Sequence, residues 1–290
     1  MTQTVYLNGE FMPLAEARIP VLDRGFIFGD GVYEVIPVYA RAPLRLAEHL
    51  ARMQNSLDSI RLKNPLTTGE WTHLVGQVIE RNPWDDQSVY VQVTRGVAPR
   101  DHTFPDSAAP TVFVMANPMS KPTAEQREHG VGAITAEDFR WKRCDIKSVS
   151  LLANCMLRQL AADAGCIEAI LLRDGQVTEA SASNVFVVKG GVILSPPKDY
   201  RILPGITLDL VLDLAREAKL PLEIRPVTER ELREADEVWV SSSTKEVLPV
   251  TMLDGKPVGD GRPGPMYARM HALYQEYKAR LARAAGVAHA

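Results

Sequence analysis

One lysine of the chain stands where an amine nucleophile could be generated. The segment 140–147, Arg-Trp-Lys-Arg-Cys-Asp-Ile-Lys, carries four cations in eight residues and ends at Lys147. Polarity drops in the next residues, 148–152. A lysine at such a border can be half-buried with a lowered pKa, which imine formation requires. An ordinary surface lysine fits the same composition, so the pattern alone leaves both interpretations open.

Two further segments could bind an anion such as a phosphate group. Leu-Pro-Gly-Ile-Thr at 203–207 precedes an amphipathic pattern, so the free amides of Ile206 and Thr207 would lie at the positive end of a helix dipole. Ser-Ser-Ser-Thr at 241–244 offers adjacent hydroxyls after an apolar strand pattern. A plain helix start and a turn or cap are the alternative interpretations of these two segments.

Other chemistries lack their motifs. The glycines of Asp23–Gly31 do not follow the order G-x-G-x-x-G and precede a predicted strand, which argues against a dinucleotide site and indicates a tight irregular turn. The sequence contains no Gly-x-Ser-x-Gly motif, so a serine hydrolase is poorly supported. The three cysteines, Cys144, Cys155 and Cys166, fit neither a disulfide framework nor a zinc site. We therefore expect reduced thiols and no metal.

The elements that position these residues fall into two groups along the chain. The first half predicts a hairpin at Asn8-Gly9, strands at 32–39, 89–96 and 111–115, and helices over 46–62 and 71–79. The second half predicts helices over 151–164, 206–218 and 266–284, with strands at 168–172, 184–188, 192–194 and 237–240. The mixture indicates an α+β or α/β fold in two domains.

The domain boundary is predicted where prolines cluster. Asn117–Pro122 holds two prolines in six residues between a strand and a polar stretch. We predict a smaller N-terminal domain at 1–117, a linker at 118–122 and a larger C-terminal domain at 123–290 that carries Lys147.

Composition excludes several classes of protein. The 290 residues include 33 Lys plus Arg and 36 Asp plus Glu, for a formal net charge of −3. This near-neutral balance argues against a nucleic-acid partner. No apolar run reaches the roughly 18 residues that a membrane helix needs, and the first residues do not form a signal peptide. We predict a cytoplasmic protein with no membrane partner.

Six short stretches, in this order, resemble the class IV aminotransferases, the fold type IV group of pyridoxal-phosphate enzymes. Each stretch is weak alone, but together they extend over nearly the whole chain. They lie at 23–35, 92–96, 99–102, 143–148, 178–186 and 205–207. Within this family the chain is most similar to the D-amino-acid aminotransferases. The resemblance implies a small N-terminal α/β domain and a larger C-terminal domain with a β-barrel-like core.

The resemblance also implies pyridoxal 5′-phosphate as the cofactor and assigns its ligands. Lys147 matches the lysine that forms a Schiff base with the cofactor and then moves the substrate's α-proton. Glu179 matches the carboxylate that keeps the pyridine nitrogen protonated. The matches to the phosphate-binding groups are Arg52, the amides of Ile206 and Thr207, the Thr207 hydroxyl, and Ser242 or Ser243.

The substrate class implied by the resemblance depends on three further residues. Arg100 and His102 match an Arg-x-His pair that holds the substrate carboxylate in the D-specific enzymes, and Tyr33 matches the accompanying tyrosine. Residues separated by one position in an extended loop project to the same side. In the family this loop reaches the neighbouring subunit's site, so the resemblance implies a homodimer with composite active sites.

The implied reaction moves an amino group between D-alanine, or other D-amino acids, and the 2-oxo acids 2-oxoglutarate and pyruvate. A branched-chain L-amino-acid aminotransferase, an (R)-amine transaminase and an aminodeoxychorismate lyase are alternatives within the same fold. A cofactor-binding protein without catalysis is a further alternative, against which the presence of both Lys147 and Glu179 argues.

Overall fold

The computed structural model describes residues 3–288, which form two compact units. Unit 1 contains the described parts of Met1–Met119 and Arg280–Ala290, together with Ile146–Leu151. Unit 2 contains Ser120–Asp145 and Leu152–Ala279.

The segment Ile146–Leu151 differs from the prediction of one continuous C-terminal domain. The predicted linker at 118–122 includes the first boundary, between Met119 and Ser120. Lys147, however, belongs to unit 1, because its segment pairs with the backbone of that unit. The Val149 amide donates to the Gly31 carbonyl over 3.0 Å, and Ile146 is part of the hydrophobic core of unit 1.

Unit 1 is an antiparallel sheet with helices. Its strands are β1 (Thr4–Leu7), β2 (Glu10–Pro13), β3 (Gly31–Tyr39), β4 (Ala42–Pro43), β5 (Gln87–Thr94) and β6 (Thr111–Pro118), in the sheet order β2-β1-β6-β5-β3-β4. Its helices are α1 (Arg24–Phe28), α2 (Leu46–Ser59) and α3 (Thr68–Arg81). The apolar stripes of α2 and α3 pack with alternate residues of β3, β5 and β6 to form the core.

Local sequence explains several of these elements. A capping box, in which Thr67 and Glu70 exchange hydrogen bonds, begins α3. Asn8 and Gly9 both have positive φ, as the hairpin turn between β1 and β2 requires.

The short helix α1 corrects the prediction of an irregular turn at 23–31. The Asp23 carboxylate accepts a hydrogen bond from the Gly25 amide and caps the helix, and Gly29 ends it in the left-handed conformation at φ 66°. Five helical residues are too few for a periodic pattern to show in the sequence.

The remaining elements begin after β6. The helices are α4 (Ala124–His129), α5 (Leu152–Asp163), α6 (Ile206–Glu217), α7 (Glu229–Arg233) and α8 (Pro265–Ala288). The strands are β7 (Val131–Glu137), β8 (Glu168–Arg173), β9 (Gln176–Ala180), β10 (Asn184–Lys189), β11 (Val192–Ser195), β12 (Leu222–Ile224), β13 (Val227–Thr228), β14 (Glu237–Ser242), β15 (Glu246–Leu253) and β16 (Lys256–Pro257).

The sheet of unit 2 curls into the predicted barrel-like core. Its order is β12-β11-β10-β14-β15-β7-β8-β9-β13, with β16 paired to β15. Strand β9 ends at Ala180 and β10 begins at Asn184, so two strands separated by four others in the sheet are joined by one tight turn. The Ala180 amide donates to the Ser183 carbonyl across that turn.

Two central strands, β7 and β15, were not predicted from sequence. Small residues such as Gly132 and Ala133 dilute the β signal of β7, and Pro249 interrupts the pattern of β15. Tertiary pairing overrides these weak local preferences, because β15 and β7 pair in parallel and β7 pairs in parallel with β8.

Candidate active site

Lys147 is half-buried and fixed by its backbone to unit 1. The Tyr33 amide of β3 donates to the Lys147 carbonyl over 2.9 Å, and the Lys147 amide donates to Ser56 Oγ of α2 over 3.2 Å. The Lys147 Nζ lies 4.1 Å from the centre of the Tyr33 ring, within reach of a cation–π interaction. Two predicted site residues, Lys147 and Tyr33, therefore lie side by side.

Arg52 belongs to a buried ionic cluster on the opposite face of β3. Its Nε and Nη2 donate to the two carboxylate oxygens of Glu34 over 2.8 and 2.7 Å. His49 Nδ1 lies 2.8 Å from Glu34 Oε2, and Glu34 and His49 have no exposed surface. Because residues alternate along a strand, Glu34 faces α2 while Tyr33 faces away from it.

The electrostatics of this cluster are set by the arginine. Burial alone would raise the pKa of Glu34, but the charge and hydrogen bonds of Arg52, with the hydrogen bond of His49, hold the pKa well below its usual range. Burial lowers the pKa of His49, so its imidazole is neutral at pH 7. A neutral ring donates from Nδ1 to the carboxylate, and Nε2 makes no hydrogen bond within residues 3–288. The sequence did not single out Glu34 and His49, because Glu34 lies 15 positions from His49 and 18 positions from Arg52 in the chain.

Arg100 and His102 are exposed and lie on the loop 95–110, between β5 and β6. The His102 ring centre is 5.5 Å from that of Phe28, and Arg100 Cζ is also 5.5 Å from the Phe28 centre. The two side chains thus meet at one aromatic ring, as projection to the same side requires. A guanidinium and an imidazole are both suited to a carboxylate ligand.

Glu179 is the penultimate residue of strand β9 in unit 2 and is buried. Its Oε2 accepts from Asn184 Nδ2 over 3.2 Å, both oxygens lie within 3.2 Å of the Leu203 amide nitrogen, and Oε1 accepts from Arg140 Nη1. Burial raises the pKa of Glu179 to about 7, although Arg140 and the Leu203 amide oppose the shift. The carboxyl therefore titrates near neutrality.

Arg140 is a residue whose role the sequence did not reveal, because it stands in a run of mostly solvated cations. Its Nε and Nη2 donate to the two Asp138 oxygens, each over 2.9 Å, and its remaining nitrogen reaches Glu179. Thr178 and Arg173 also contact Asp138, at 2.9 and 3.0 Å. The spacing Asp-x-Arg directly after β7 is the one local signal that could have indicated this buried pair.

The start of α6 keeps the features of an anion site. Gly205 is the N-cap and offers no side chain, so the first amides of α6 have no side-chain cap. A Cβ at Gly205 would stand 2.0 Å from Asn184 Oδ1, which explains the glycine. Ile206 and Thr207 are both buried. Helix α6 thus presents buried N-terminal amides and a hydroxyl together.

Ser242 ends β14, and Ser243 lies in the turn between β14 and β15. Ser242 Oγ accepts from the Lys245 amide over 3.2 Å, so this hydroxyl already stabilises its own turn. Lys245 Nζ in turn donates to Glu168 Oε1 over 2.8 Å. The turn is therefore fixed from two sides.

Each unit, taken by itself, carries groups of the kind that pyridoxal 5′-phosphate needs. Unit 2 offers uncapped helix amides, which suit a phosphate, and a buried carboxyl that titrates near neutrality, which suits a pyridine nitrogen. Unit 1 offers an arginine whose orientation is fixed by a buried carboxylate and a half-buried lysine. Within the described residues no cluster of side chains could hold a metal ion. Nor is any helix among residues 3–288 both long and apolar enough to cross a membrane.

Comparison with curated proteins gives near full-length matches. A D-alanine aminotransferase of Bacillus licheniformis is 44% identical over 271 residues, covering 93% of this chain and 95% of that protein. A D-alanine aminotransferase of Staphylococcus aureus strain MW2 is 38% identical over 276 residues, covering 95% of this chain and 98% of that protein.

Solved structures confirm the fold predicted from the resemblance. A branched-chain aminotransferase of the archaeon Thermoproteus uzoniensis with norvaline has a TM-score of 0.87 at 26% identity, covering 96% of this chain and 95% of that one. The branched-chain amino acid aminotransferase of Escherichia coli has a TM-score of 0.87 at 27% identity, covering 93% of each chain.

The family assignment follows from a match over most of the chain. The model of the amino-transferase class IV family matches residues 31–253, a range that holds Lys147, Glu179 and the start of α6. Together with the relatives above, this match establishes that the chain belongs to the class IV aminotransferase family.

Proposed function

We propose that the chain is a D-amino-acid transaminase that moves an amino group between D-alanine and 2-oxo acids such as 2-oxoglutarate. The observation that carries this proposal is the 44% identity to a D-alanine aminotransferase over 93% of the chain. The two branched-chain enzymes of solved structure are less similar in sequence, at 26% and 27% identity. The pair Arg100 and His102 at one ring further supports a carboxylate substrate.

The cofactor proposed is pyridoxal 5′-phosphate, which supplies an electron-accepting ring for the carbanion formed when the substrate's α-proton leaves. Lys147 Nζ is assigned as its covalent anchor and as the group that takes the α-proton and returns it. Glu179 is assigned to hold the proton on the pyridine nitrogen.

The remaining roles are binding roles. The assigned phosphate ligands are Arg52, Ile206, Thr207, Ser242 and Ser243, and the fixed Glu34–Arg52 pair supports the first of them. Tyr33, Arg100 and His102 are assigned to the substrate carboxylate, where each charge-assisted hydrogen bond contributes roughly 1.5–3 kcal/mol.

The assembly proposed is a homodimer with composite active sites, which sedimentation of the purified protein would test directly. A monomer at working concentration would contradict it. A cytoplasmic location also stays a prediction, supported by three cysteines that form no disulfide.

The decisive experiment mixes the purified yellow holoprotein with D-alanine, L-alanine or L-leucine, without any 2-oxo acid. Loss of the yellow absorbance with D-alanine only would support the reaction and its stereochemistry together. Loss with L-leucine instead would favour the branched-chain alternative, and no loss with any amino acid would favour a non-catalytic protein.

Two sets of variants complete the test. Lys147→Ala should lose both the yellow absorbance and transamination, whereas Lys142→Ala, at an exposed lysine of the same segment, should keep both. Arg100→Ala and His102→Ala should weaken D-alanine binding. Wild-type D-alanine kinetics in both variants would contradict the assignment of the carboxylate ligands.

A further inference from the structure

A buried arginine reaches the backbone of the loop that carries Arg100 and His102. Arg24 is 3% exposed, and its Nη1 donates to the Asp101 carbonyl over 2.6 Å. Asp101 stands between the two residues assigned to the substrate carboxylate. Arg24 therefore fixes the backbone at the centre of this pair, although residues 99–104 of the loop are exposed.

The Arg24 guanidinium is itself held in place. Its Nε donates to Asp30 Oδ2 over 2.7 Å, and Arg95 Nε donates to the same oxygen over 2.8 Å. The Arg24 amide also donates to the Gly96 carbonyl over 2.8 Å. A planar guanidinium bound through two different nitrogens has a defined orientation, so the contact with Asp101 is made by a fixed donor.

Phe28 adds a second contact to the same part of the loop. It lies one helical turn after Arg24 in α1, and Arg24 Cζ is 4.8 Å from its ring centre. Arg100 and His102 meet the same ring at 5.5 Å each. The loop is thus held at its backbone by Arg24 and at both functional side chains by Phe28.

We infer that Arg24, together with Phe28, is a positioning device for substrate recognition. Arg24 fixes the backbone of Asp101, and Phe28 orders the two side chains, so that the guanidinium of Arg100 and the imidazole of His102 are presented together to one carboxylate. Arg24 touches neither substrate nor cofactor in this role. The inference rests on the proposed function, in which Arg100 and His102 bind the carboxylate of a D-amino acid.

Arg24→Lys separates this role from simple stability. The lysine keeps a cation beside Asp30, but its single nitrogen cannot replace both Nε at Asp30 and Nη1 at Asp101. We expect the KM for D-alanine to rise about tenfold, equivalent to about 1.4 kcal/mol. The kcat and the affinity for pyridoxal 5′-phosphate should change less than twofold. The inhibition constant of propionate, a simple carboxylate, should rise by the same factor as the KM for D-alanine.

Two controls separate the loop contact from general effects. Arg41→Lys alters an arginine that also binds backbone carbonyls of unit 1, through Nη2 to Ile79 at 2.7 Å, at a loop without assigned site residues. It should leave the KM unchanged. In the background of Arg100→Ala with His102→Ala, Arg24→Lys should add less than a twofold effect, because residues acting through one another are not additive.

The outcomes divide clearly. A wild type that does not react with D-alanine overturns the proposed function and this inference with it. If the wild type reacts with D-alanine but Arg24→Lys has the wild-type KM and the wild-type inhibition by propionate, the inference alone is overturned. It is also overturned if Arg24→Lys raises the KM in the combined variant by the same factor as in the wild type. If Arg24→Lys fails to fold, Phe28→Leu carries the test: we expect its KM to rise severalfold, and an unchanged KM overturns the inference.

Discussion

The protonation of Glu179 should make the stability of the cofactor-free protein fall as the pH rises through neutrality. The carboxyl is buried and its pKa is raised to about 7, against 4.5 as the ordinary value. Below pH 4.5 the group is protonated in both the folded and the unfolded chain. Between pH 4.5 and about 7 only the folded chain keeps the proton, so the stabilisation, which is complete below pH 4.5, is lost progressively as the pH rises to about 7.

The size of the effect follows from the two values. The interval between 4.5 and about 7 corresponds to about 3 kcal/mol of unfolding free energy. Glu179→Gln cannot titrate, nearly preserves the side-chain shape, and leaves Arg140 paired with Asp138. We therefore expect the wild type to lose about 2.5 kcal/mol of this relative to the variant between pH 5 and pH 8, because part of the effect is already lost at pH 5.

Urea unfolding of both cofactor-free proteins at a series of pH values, followed by tryptophan fluorescence, measures this difference. Effects of pH common to both proteins cancel in the comparison. Glu10→Gln, at an exposed carboxylate, serves as the control and should follow the wild type. Parallel curves for wild type and Glu179→Gln would refute the reasoning. A wild type that gains relative stability with pH would show that Arg140 outweighs burial.

Three further predictions concern single contacts. Glu34→Gln should cost about 3 kcal/mol or more in urea unfolding and weaken cofactor binding, because it removes the buried negative charge that two nitrogens of Arg52 contact; unchanged values would contradict this. Gly96→Ala should lower the melting temperature strongly, since a Cβ would stand 1.8 Å from a carbonyl oxygen of its own loop. Gly175→Ala, with positive φ but open space, should cost only about 1 kcal/mol, and equal melting temperatures would refute the distinction. Glu237→Ala removes the acceptor of two first-turn amides of α8 and should cost about 2 kcal/mol in urea unfolding; a loss below about 0.5 kcal/mol would count against the cap.

Long periodic elements and hairpins were predictable because their signals are local. The apolar spacing that predicts helices over 46–62 and 206–218 produces α2 and α6, each within a few residues of its predicted end. Lys189-Gly190-Gly191 marks the hairpin between β10 and β11. The family, and with it the identity of Lys147 as a candidate site residue, also followed from short motifs in order.

Elements with weak local signals were not predictable. Strands β7 and β15 contain small residues or a proline, and they form because neighbouring strands accept their hydrogen bonds. The placement of Lys147 in unit 1 has the same origin. Its segment lies beyond the predicted boundary in sequence, yet its carbonyl accepts the Tyr33 amide of β3.

By itself the sequence determined the local elements of this protein and, through its motifs, the family and the candidate residues. Only the tertiary structure decided which groups orient those residues: Glu34 for Arg52, Arg140 for Glu179, and Arg24 for the loop between Arg100 and His102. The members of the last contact are 77 positions apart in the chain. Periodicity reports only neighbours along a helix or strand, whereas a buried ion pair or a side chain on a distant carbonyl depends on how the strands pair and the helices pack.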